Sequence, residues 1–124
     1  MSLALAAAVL MQATQPTVIT QPDWLQRPNG QDMAQFYPKL AAGMAIEGRA
    51  VIQCSVTAEG LLAGCKVVAE DPTGAGFGDA ALGLSSLFHM RPMTKDGHPV
   101  SGGTVRIPIM FRLPHPQAPP APSQ

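Results

Sequence analysis

The stretch VIQCSVTAEGLLAGCKVV, residues 51–68, constrains the fold most, because it holds the only two cysteines of the chain. Apolar and polar residues alternate on both sides of TAEG, as in two half-buried strands joined by a tight turn. A two-residue turn at Glu59-Gly60 places Cys54 opposite Cys65, since directly paired residues then have numbers with a constant sum. The stretch therefore predicts an antiparallel hairpin with both thiols on its buried face.

The two cysteines allow four interpretations, and the sequence leaves all four open. A disulfide between Cys54 and Cys65 would close a loop of about twelve residues and stabilise a small domain by about 3 kcal/mol in the chain-entropy model. The alternatives are two reduced core thiols, a catalytic dithiol and a metal site. The absence of a C-x-x-C spacing disfavours the dithiol. We favour the disulfide, because exported proteins keep such bonds.

Periodicity along the sequence predicts a bulge in the hairpin, two helices and a third strand. The return strand of the hairpin changes parity between Leu62 and Cys65, which indicates a bulge near Gly64. Helices are predicted from PKLAAGMA, with Leu40, Met44 and Ala41 on the buried face, and from FGDAALGLSSLFHM. The strands are predicted at residues 49–56, 61–70 and 104–113. The expected fold class is α+β, a three-stranded antiparallel sheet with two helices packed on one face.

Composition divides the chain into four segments. Residues 1–13 contain an apolar run too short to span a bilayer, and they resemble a signal peptide or a truncated anchor. Residues 14–31 contain three prolines and predict a linker, from which Trp24 packs back onto the domain. Residues 32–113 form the predicted domain, and residues 114–124 a Pro-rich, disordered tail. An exported protein is expected.

The balance of charge argues against a nucleic-acid partner. The 124-residue chain carries eight Lys and Arg residues and eight Asp and Glu residues, so no net charge attracts it to a phosphate backbone. The basic residues are also spread along the sequence and form no stripe. We expect no binding to nucleic acid.

Residues that could carry chemistry form no recognisable site in the sequence. His89, His98 and His115 lack the spacing of a metal site, and no serine lies in a G-x-S-x-G context. The glycines of GAGFGDAALG follow a G-x-G-x-G pattern between antiparallel strands, whereas a dinucleotide-binding turn has G-x-G-x-x-G in a parallel βαβ unit. We therefore expect no enzyme activity, no metal and no cofactor.

Four segments together resemble the C-terminal domain of TonB and its relatives. The segments are YPKLA, IEGRAVIQCSVTAEGLL, GFGDAALGLSSLFHMRPMTKDGHPV and VRIPIMFRL. The resemblance covers residues 37–113, and the family fold has the same sheet and two helices. The matching positions are Tyr37-Pro38, Glu47-Gly48, Gly60, Ala80-Ala81, Arg91-Pro92, Asp96-Gly97 and Phe111.

The resemblance implies a periplasmic domain, tethered to the inner membrane in the complete transducer, where proton-driven motor proteins are its partners. Such a domain binds the TonB box of a TonB-dependent outer-membrane receptor by adding it as a strand to the sheet edge. Tyr37 and Pro38 are expected near that edge. The residues of the expected edge are Val105, Arg106, Ile107, Ile109, Met110, Phe111, Arg112 and Leu113.

Pro108 leaves a second function open. A proline removes one amide donor from the last strand, and the sequence does not show whether its nitrogen faces the neighbouring strand or the open edge. If it faces the open edge, it weakens strand addition and guards against edge-to-edge pairing. The alternative function is an envelope interaction or scaffold module that forms a homodimer through the same edge, without energy transduction.

Overall fold

The cysteine hairpin lies in a three-stranded antiparallel sheet in the computed structural model, which describes residues 18–114. The sheet has the order β3-β2-β5, and a separate two-stranded sheet pairs β1 with β4. The elements are β1 (Trp24–Gln26), α1 (Gly30–Phe36), α2 (Lys39–Gly43), β2 (Gly48–Val56), β3 (Leu62–Asp71), α3 (Phe77–Leu84), a 3-10 turn (Ser85–Leu87), β4 (His89–Met90) and β5 (Thr104–Phe111). This architecture is the α+β fold that the sequence predicts.

The hairpin of β2 and β3 is closed by a longer turn than predicted. The N–H of Thr57 donates to the carbonyl oxygen of Leu61 at 2.8 Å, and that of Gly60 donates to Thr57 at 3.0 Å. A two-residue type I′ turn needs positive φ at both central residues. Only Gly60 adopts it, at 88°, whereas Glu59 does not. The hairpin therefore uses a longer loop with its glycine in the left-handed region.

The bulge predicted near Gly64 is confirmed. The register between β2 and β3 shifts between Gln53 and Ser55, where Gly64 has a φ of 59°. The extra residue keeps the two cysteines adjacent, and they form a disulfide with an S–S distance of 2.09 Å. Cys54 is buried and Cys65 is half-buried.

Strand β5 pairs with β2 without irregularity, from Gly48 opposite Phe111 to Ser55 opposite Thr104. Alternation along β5 buries every second side chain in the core. The strand ends two residues before the predicted limit, because the N–H of Leu113 donates to the Glu47 carboxylate at 2.7 Å and leaves the ladder. The buried residues are Val105, Ile107, Ile109 and Phe111.

Three aromatic rings form the centre of the core at one end of the sheet. The centroid of Tyr37 lies 5.7 Å from Phe77 and 5.8 Å from Phe111, both edge-on, and Phe77 lies 5.1 Å from Phe111. Gly48 is required beside them, because a Cβ there would lie 2.5 Å from both the Phe77 ring and the Asp71 carbonyl oxygen. The matching Gly48 and Phe111 positions thus serve packing.

Two helix predictions were wrong in detail. The helix predicted from PKLAAGMA is α2, which ends at Gly43. Of its predicted buried residues Ala41 is buried, whereas Leu40 and Met44 are 73% and 63% exposed. A five-residue helix buries only one small side chain here. The second helix ends at Leu84 and not at Met90, because residues 85–87 form a 3-10 turn and Met90 pairs with Trp24 in the small sheet.

Part of the predicted linker is structured. Residues 24–26 form β1, and Asn29 caps α1 through a capping box with Asp32. Trp24 packs on Phe88 with ring centroids 5.1 Å apart, so the prediction that it folds back onto the domain is confirmed. The predictions for residues 1–13 and for the tail from residue 115 lie outside the described residues. Among residues 18–114, none of the helices combines the length and apolar character needed to cross a membrane.

Candidate functional site

The outer edge of β5 carries main-chain groups that point away from the sheet. The N–H of Val56 donates to Gly103 at 2.9 Å, which fixes which residues of β5 bond to β2. Thr104 is the next residue after Gly103, so its main-chain groups point the other way, to the outer side of the sheet. There its carbonyl oxygen accepts from the N–H of Ile19 at 2.8 Å. Because parity alternates along a strand, the main-chain groups of Arg106, Pro108 and Met110 also face outward.

The nitrogen of Pro108 consequently faces the open edge. Pro108 lies opposite Val51 in an unbroken register, in a pair whose main-chain groups point away from each other. The proline therefore removes no bond between β2 and β5. It removes one of the amide donors that face outward. The N–H groups of Arg106 and Met110 remain there, together with the carbonyl oxygens of Arg106, Pro108 and Met110.

A groove of about 530 Å³ runs along this edge. One side is β5 from Val105 to Met110. The other side is formed by residues 19–28, with contributions from α1 and from Phe88, the residue after the 3-10 turn. The β5 edge, called the floor below, therefore faces a single far wall across the groove. The far wall consists of Ile19, Thr20, Pro22, Trp24, Arg27, Pro28, Met33 and Phe88.

A second cavity of about 550 Å³ extends the groove past the end of β5. The two cavities share Met33 and Met110; together they are called the trough below. The second cavity is lined by Tyr37, Phe111, Arg112 and Leu113 among others. The trough therefore follows the edge from residue 105 to residue 114.

Residues 18–26, called the strap below, hold the far wall of the trough in place. The N–H of Lys95 donates to the Gln21 carbonyl oxygen at 3.2 Å, and that of Arg91 donates to Asp23 at 2.7 Å. The Arg91 guanidinium also lies 3.3 Å from the Asp23 carboxylate. Ile19 is buried against Gly103, where a Cβ would lie 2.7 Å from the Ile19 side chain. The strap is thus bonded at both ends.

Tyr37 supports the floor of the second cavity. Its hydroxyl donates to the carbonyl oxygen of Ile46 at 2.5 Å. Burial, and secondarily the nearby Glu47 carboxylate, raises the pKa of the Tyr37 hydroxyl above its usual 10.0. Tyr37 therefore stays a neutral hydrogen-bond donor at neutral pH. Pro38 does not line the trough and lies against Gly76, where a Cβ would be 3.2 Å away.

The expected edge residues divide into two groups in the structure. Val105, Ile107, Ile109 and Phe111 direct their side chains into the core, and parity directs their main-chain groups to β2. Arg106 and Met110 are exposed, and their main-chain groups face the trough. Arg112 and Leu113 lie beyond the strand and line the second cavity.

The far wall was missed by sequence reasoning. Trp24, Met33 and Phe88 come from three separate segments, and only their packing brings them to the edge of β5. A single aromatic residue in a Pro-rich segment was the one local signal for this wall. No group of three or more His, Cys, Asp or Glu residues suited to a metal ion occurs among residues 18–114.

Comparison with known proteins places this chain beside a known family. Residues 33–113 match the family described as the Gram-negative bacterial TonB protein C-terminal. An uncharacterized protein of Caulobacter vibrioides is 31% identical over 112 residues, which are 90% of this chain and 96% of that protein.

Two solved structures match this chain to different degrees. The solution NMR structure of the Pseudomonas aeruginosa TonB CTD superposes with a TM-score of 0.58 at 16% identity, covering 80% of this chain and 93% of that one. The NMR structure of the Helicobacter pylori TonB-CTD gives a TM-score of 0.43 at 24% identity, covering 68% of this chain and 77% of that one. The first of these supports the fold described above.

Proposed function

Because this chain belongs to the Gram-negative bacterial TonB C-terminal family, we propose that it binds TonB-box-type segments of a TonB-dependent outer-membrane receptor by strand addition. The observation that carries the proposal is the trough along the outward edge of β5. An extended peptide in this trough would bond to the main chain of β5 on one side. Its side chains would meet the apolar far wall on the other.

The edge sets the length of segment that can be bound. The N–H of Ile19, in the strap, already donates to the carbonyl oxygen of Thr104. The free outward positions of β5 therefore begin at Arg106. They continue to Arg112, where the second cavity lies. Seven residues of extended chain span about 20 Å at a rise of about 3.3 Å per residue. We therefore expect a bound segment of about seven residues.

The geometry favours a single peptide over a second copy of this chain. A symmetric antiparallel pair of β5 edges centred on Pro108 would lack two amide donors, one from each copy, whereas a peptide lacks only one. A second sheet paired at this edge would also have to fit against the far wall, which is a greater bulk than a single extended segment. Both features disfavour the homodimer that the sequence left open.

The proposed role is one of binding in envelope transport. We place the domain in the periplasm, where a strand-binding domain meets outer-membrane receptors and can couple to inner-membrane motor proteins. The disulfide between Cys54 and Cys65 suits such an oxidising compartment. The role uses main-chain bonds and apolar contacts, and it requires no catalytic group.

A titration with a synthetic TonB-box peptide tests this function. Trp24 is the only tryptophan of the chain and lines the trough, so its fluorescence reports occupancy directly. We expect a saturable change in its emission, with NMR shifts at residues 105–113 and at the strap. Shifts confined to α2, or no shift at millimolar peptide, would reject the proposed site.

A further inference from the structure

One face of the three-stranded sheet is open to solvent in the part of the chain that the structure describes, because the core lies on the other face. Every second residue of β2, from Ala50 to Val56, is buried, so the residues between them face away from the core. The register places their partners on β3 and β5 on the same side. This surface, called the open face below, has four rows, each written from β3 through β2 to β5: Asp71, Arg49 and Met110; Ala69, Val51 and Pro108; Lys66, Gln53 and Arg106; Ala63, Ser55 and Thr104.

The open face concentrates positive charge. It holds three of the eight basic residues of the chain, Arg49, Lys66 and Arg106, and one of the eight acidic residues, Asp71, which lies opposite Arg49. The open face therefore has a net charge of +2, and the remaining five basic and seven acidic residues give the rest of the domain −2. Arg106 donates through Nε to the Gln53 side chain at 2.9 Å, which holds its guanidinium in the row with Lys66 and leaves its charge in place.

An aliphatic band lies directly beside the row of Lys66 and Arg106. Val51 is flanked by Ala69 and Pro108, and Val68, which is 39% exposed, lies next to Ala69 where the register between β2 and β3 shifts. Met110 follows in the next row and is 48% exposed. The alanine, serine and threonine side chains of the other positions are short, so the open face has little relief between its charged residues.

From this arrangement we propose that the open face docks on an anionic lipid bilayer, with Lys66 and Arg106 at the lipid phosphates and the aliphatic band at the boundary between headgroups and acyl chains. Basic residues near an anionic membrane are attracted to it, and apolar side chains beside them add buried contact area.

The charge distribution of the whole domain favours a lipid plane over an acidic protein as the partner. A plane attracts the positive open face and repels the acidic remainder, so it holds the domain in one orientation, whereas a protein would contact a single patch. The inference goes beyond strand addition, which uses the main-chain edge of β5 and leaves the open face free.

Sedimentation of the full chain with lipid vesicles tests the inference. The vesicles consist of phosphatidylcholine alone or of phosphatidylcholine with about 30% phosphatidylglycerol, at about 20 mM and about 300 mM salt. We expect a partition coefficient about fivefold or more higher on the anionic vesicles at low salt, and convergence of the two at high salt because ions screen the charges. The neutral vesicles account for any contribution from the apolar run in residues 1–13, which is the same in every protein compared.

Two double variants assign the binding to the open face. Arg49→Gln with Lys66→Gln removes the net charge of the open face and should abolish most of the preference for anionic vesicles. Lys39→Gln with Lys95→Gln is the matched control, since it removes the same charge from α2 and from the loop after β4, and it should leave most of the preference intact. All four side chains are exposed and lie outside the trough, so both variants should fold and bind peptide as before.

Equal binding to anionic and neutral vesicles at low salt, or an equal loss of preference in the two double variants, would overturn the inference. Binding to immobilised poly-glutamate that Arg49→Gln with Lys66→Gln abolishes, without any preference among the vesicles, would assign the open face to an acidic protein and would overturn it as well. Peptide binding is followed separately by Trp24 fluorescence, so failure of the proposed function would be distinguished from failure of this inference.

Discussion

Tyr37 packs in the core and lines the trough. The ionisation of its hydroxyl makes the stability of the domain depend on pH in the alkaline range. Its hydroxyl donates to Ile46 and its pKa is raised by burial. A raised folded-state pKa means that the stabilisation is complete below pH 10 and is lost as pH rises through the folded-state value. We expect the free energy of unfolding to fall above pH 10, with the ionisation followed at 295 nm, because Tyr37 is the only tyrosine.

Tyr37→Phe is the matching variant. It should cost about 1 kcal/mol at neutral pH, since one hydrogen bond is lost and the Ile46 carbonyl oxygen is left unpaired. It should also flatten the decline in stability above pH 10. Urea unfolding at pH 7 and pH 11 measures both effects, and an identical alkaline decline in wild type and variant would contradict the assignment.

Alanine substitutions at Gly60 and Gly64 distinguish the cost of a left-handed backbone from the cost of a steric clash. Both have positive φ, at 88° and 59°, so alanine at either position pays about 1 kcal/mol for the left-handed conformation. A Cβ at Gly60 would also meet the main chain of Met90, whereas Gly64 has open space. We expect Gly60→Ala to destabilise the domain by clearly more than Gly64→Ala in thermal or urea unfolding. Equal losses of stability in the two variants would show that the main chain of Met90 moves aside without a measurable cost in free energy.

At the scale of elements, the disulfide cross-links the two strands of the β2–β3 hairpin. It joins residues eleven apart in sequence, and in the chain-entropy model such a bond contributes about 3 kcal/mol. Reduction, or the double change Cys54→Ala and Cys65→Ala, should lower the free energy of unfolding by about that amount. Urea unfolding with and without reductant measures it, and superimposable curves would show that the bond is dispensable.

Pro108 limits how well β5 can receive another strand. Its nitrogen faces outward, so Pro108→Ala adds one amide donor to the trough and leaves the pairing with β2 unchanged. We expect peptide affinity to rise about three- to tenfold, which corresponds to one hydrogen bond of about 0.5–1.5 kcal/mol. Pro99→Ala, in an exposed loop, is the control and should leave affinity unchanged. Weaker binding by Pro108→Ala would place the peptide elsewhere.

Elements set by local patterns could be predicted from the sequence, and others could not. Alternation located β2 and β5, and the parity change located the bulge at Gly64. The pairing of β1 with β4 was not foreseen, because a strand of three residues in a Pro-rich segment is held by its partner and not by its own propensity. The exposed Leu40 and Met44 show the same limit, since helical spacing alone did not reveal which face finds a partner.

At the scale of the whole molecule, the trough is a product of tertiary packing. Its floor is the last strand, while its far wall comes from the strap, α1 and Phe88. The resemblance to the TonB family led us to expect the edge of the last strand as the binding edge. The wall and the outward nitrogen of Pro108 required the relative positions of segments about ninety residues apart, from Ile19 to Met110.

The central claim is that a peptide binds to β5 through main-chain hydrogen bonds. N-methylation of a peptide amide removes one donor and leaves the side chains unchanged, and only alternate amides of an added strand face the sheet. Two versions of the same TonB-box peptide, each methylated at one set of alternate amides, are therefore the most direct test by Trp24 fluorescence. The account predicts that one version loses binding and the other keeps it, and equal binding by both versions would contradict it.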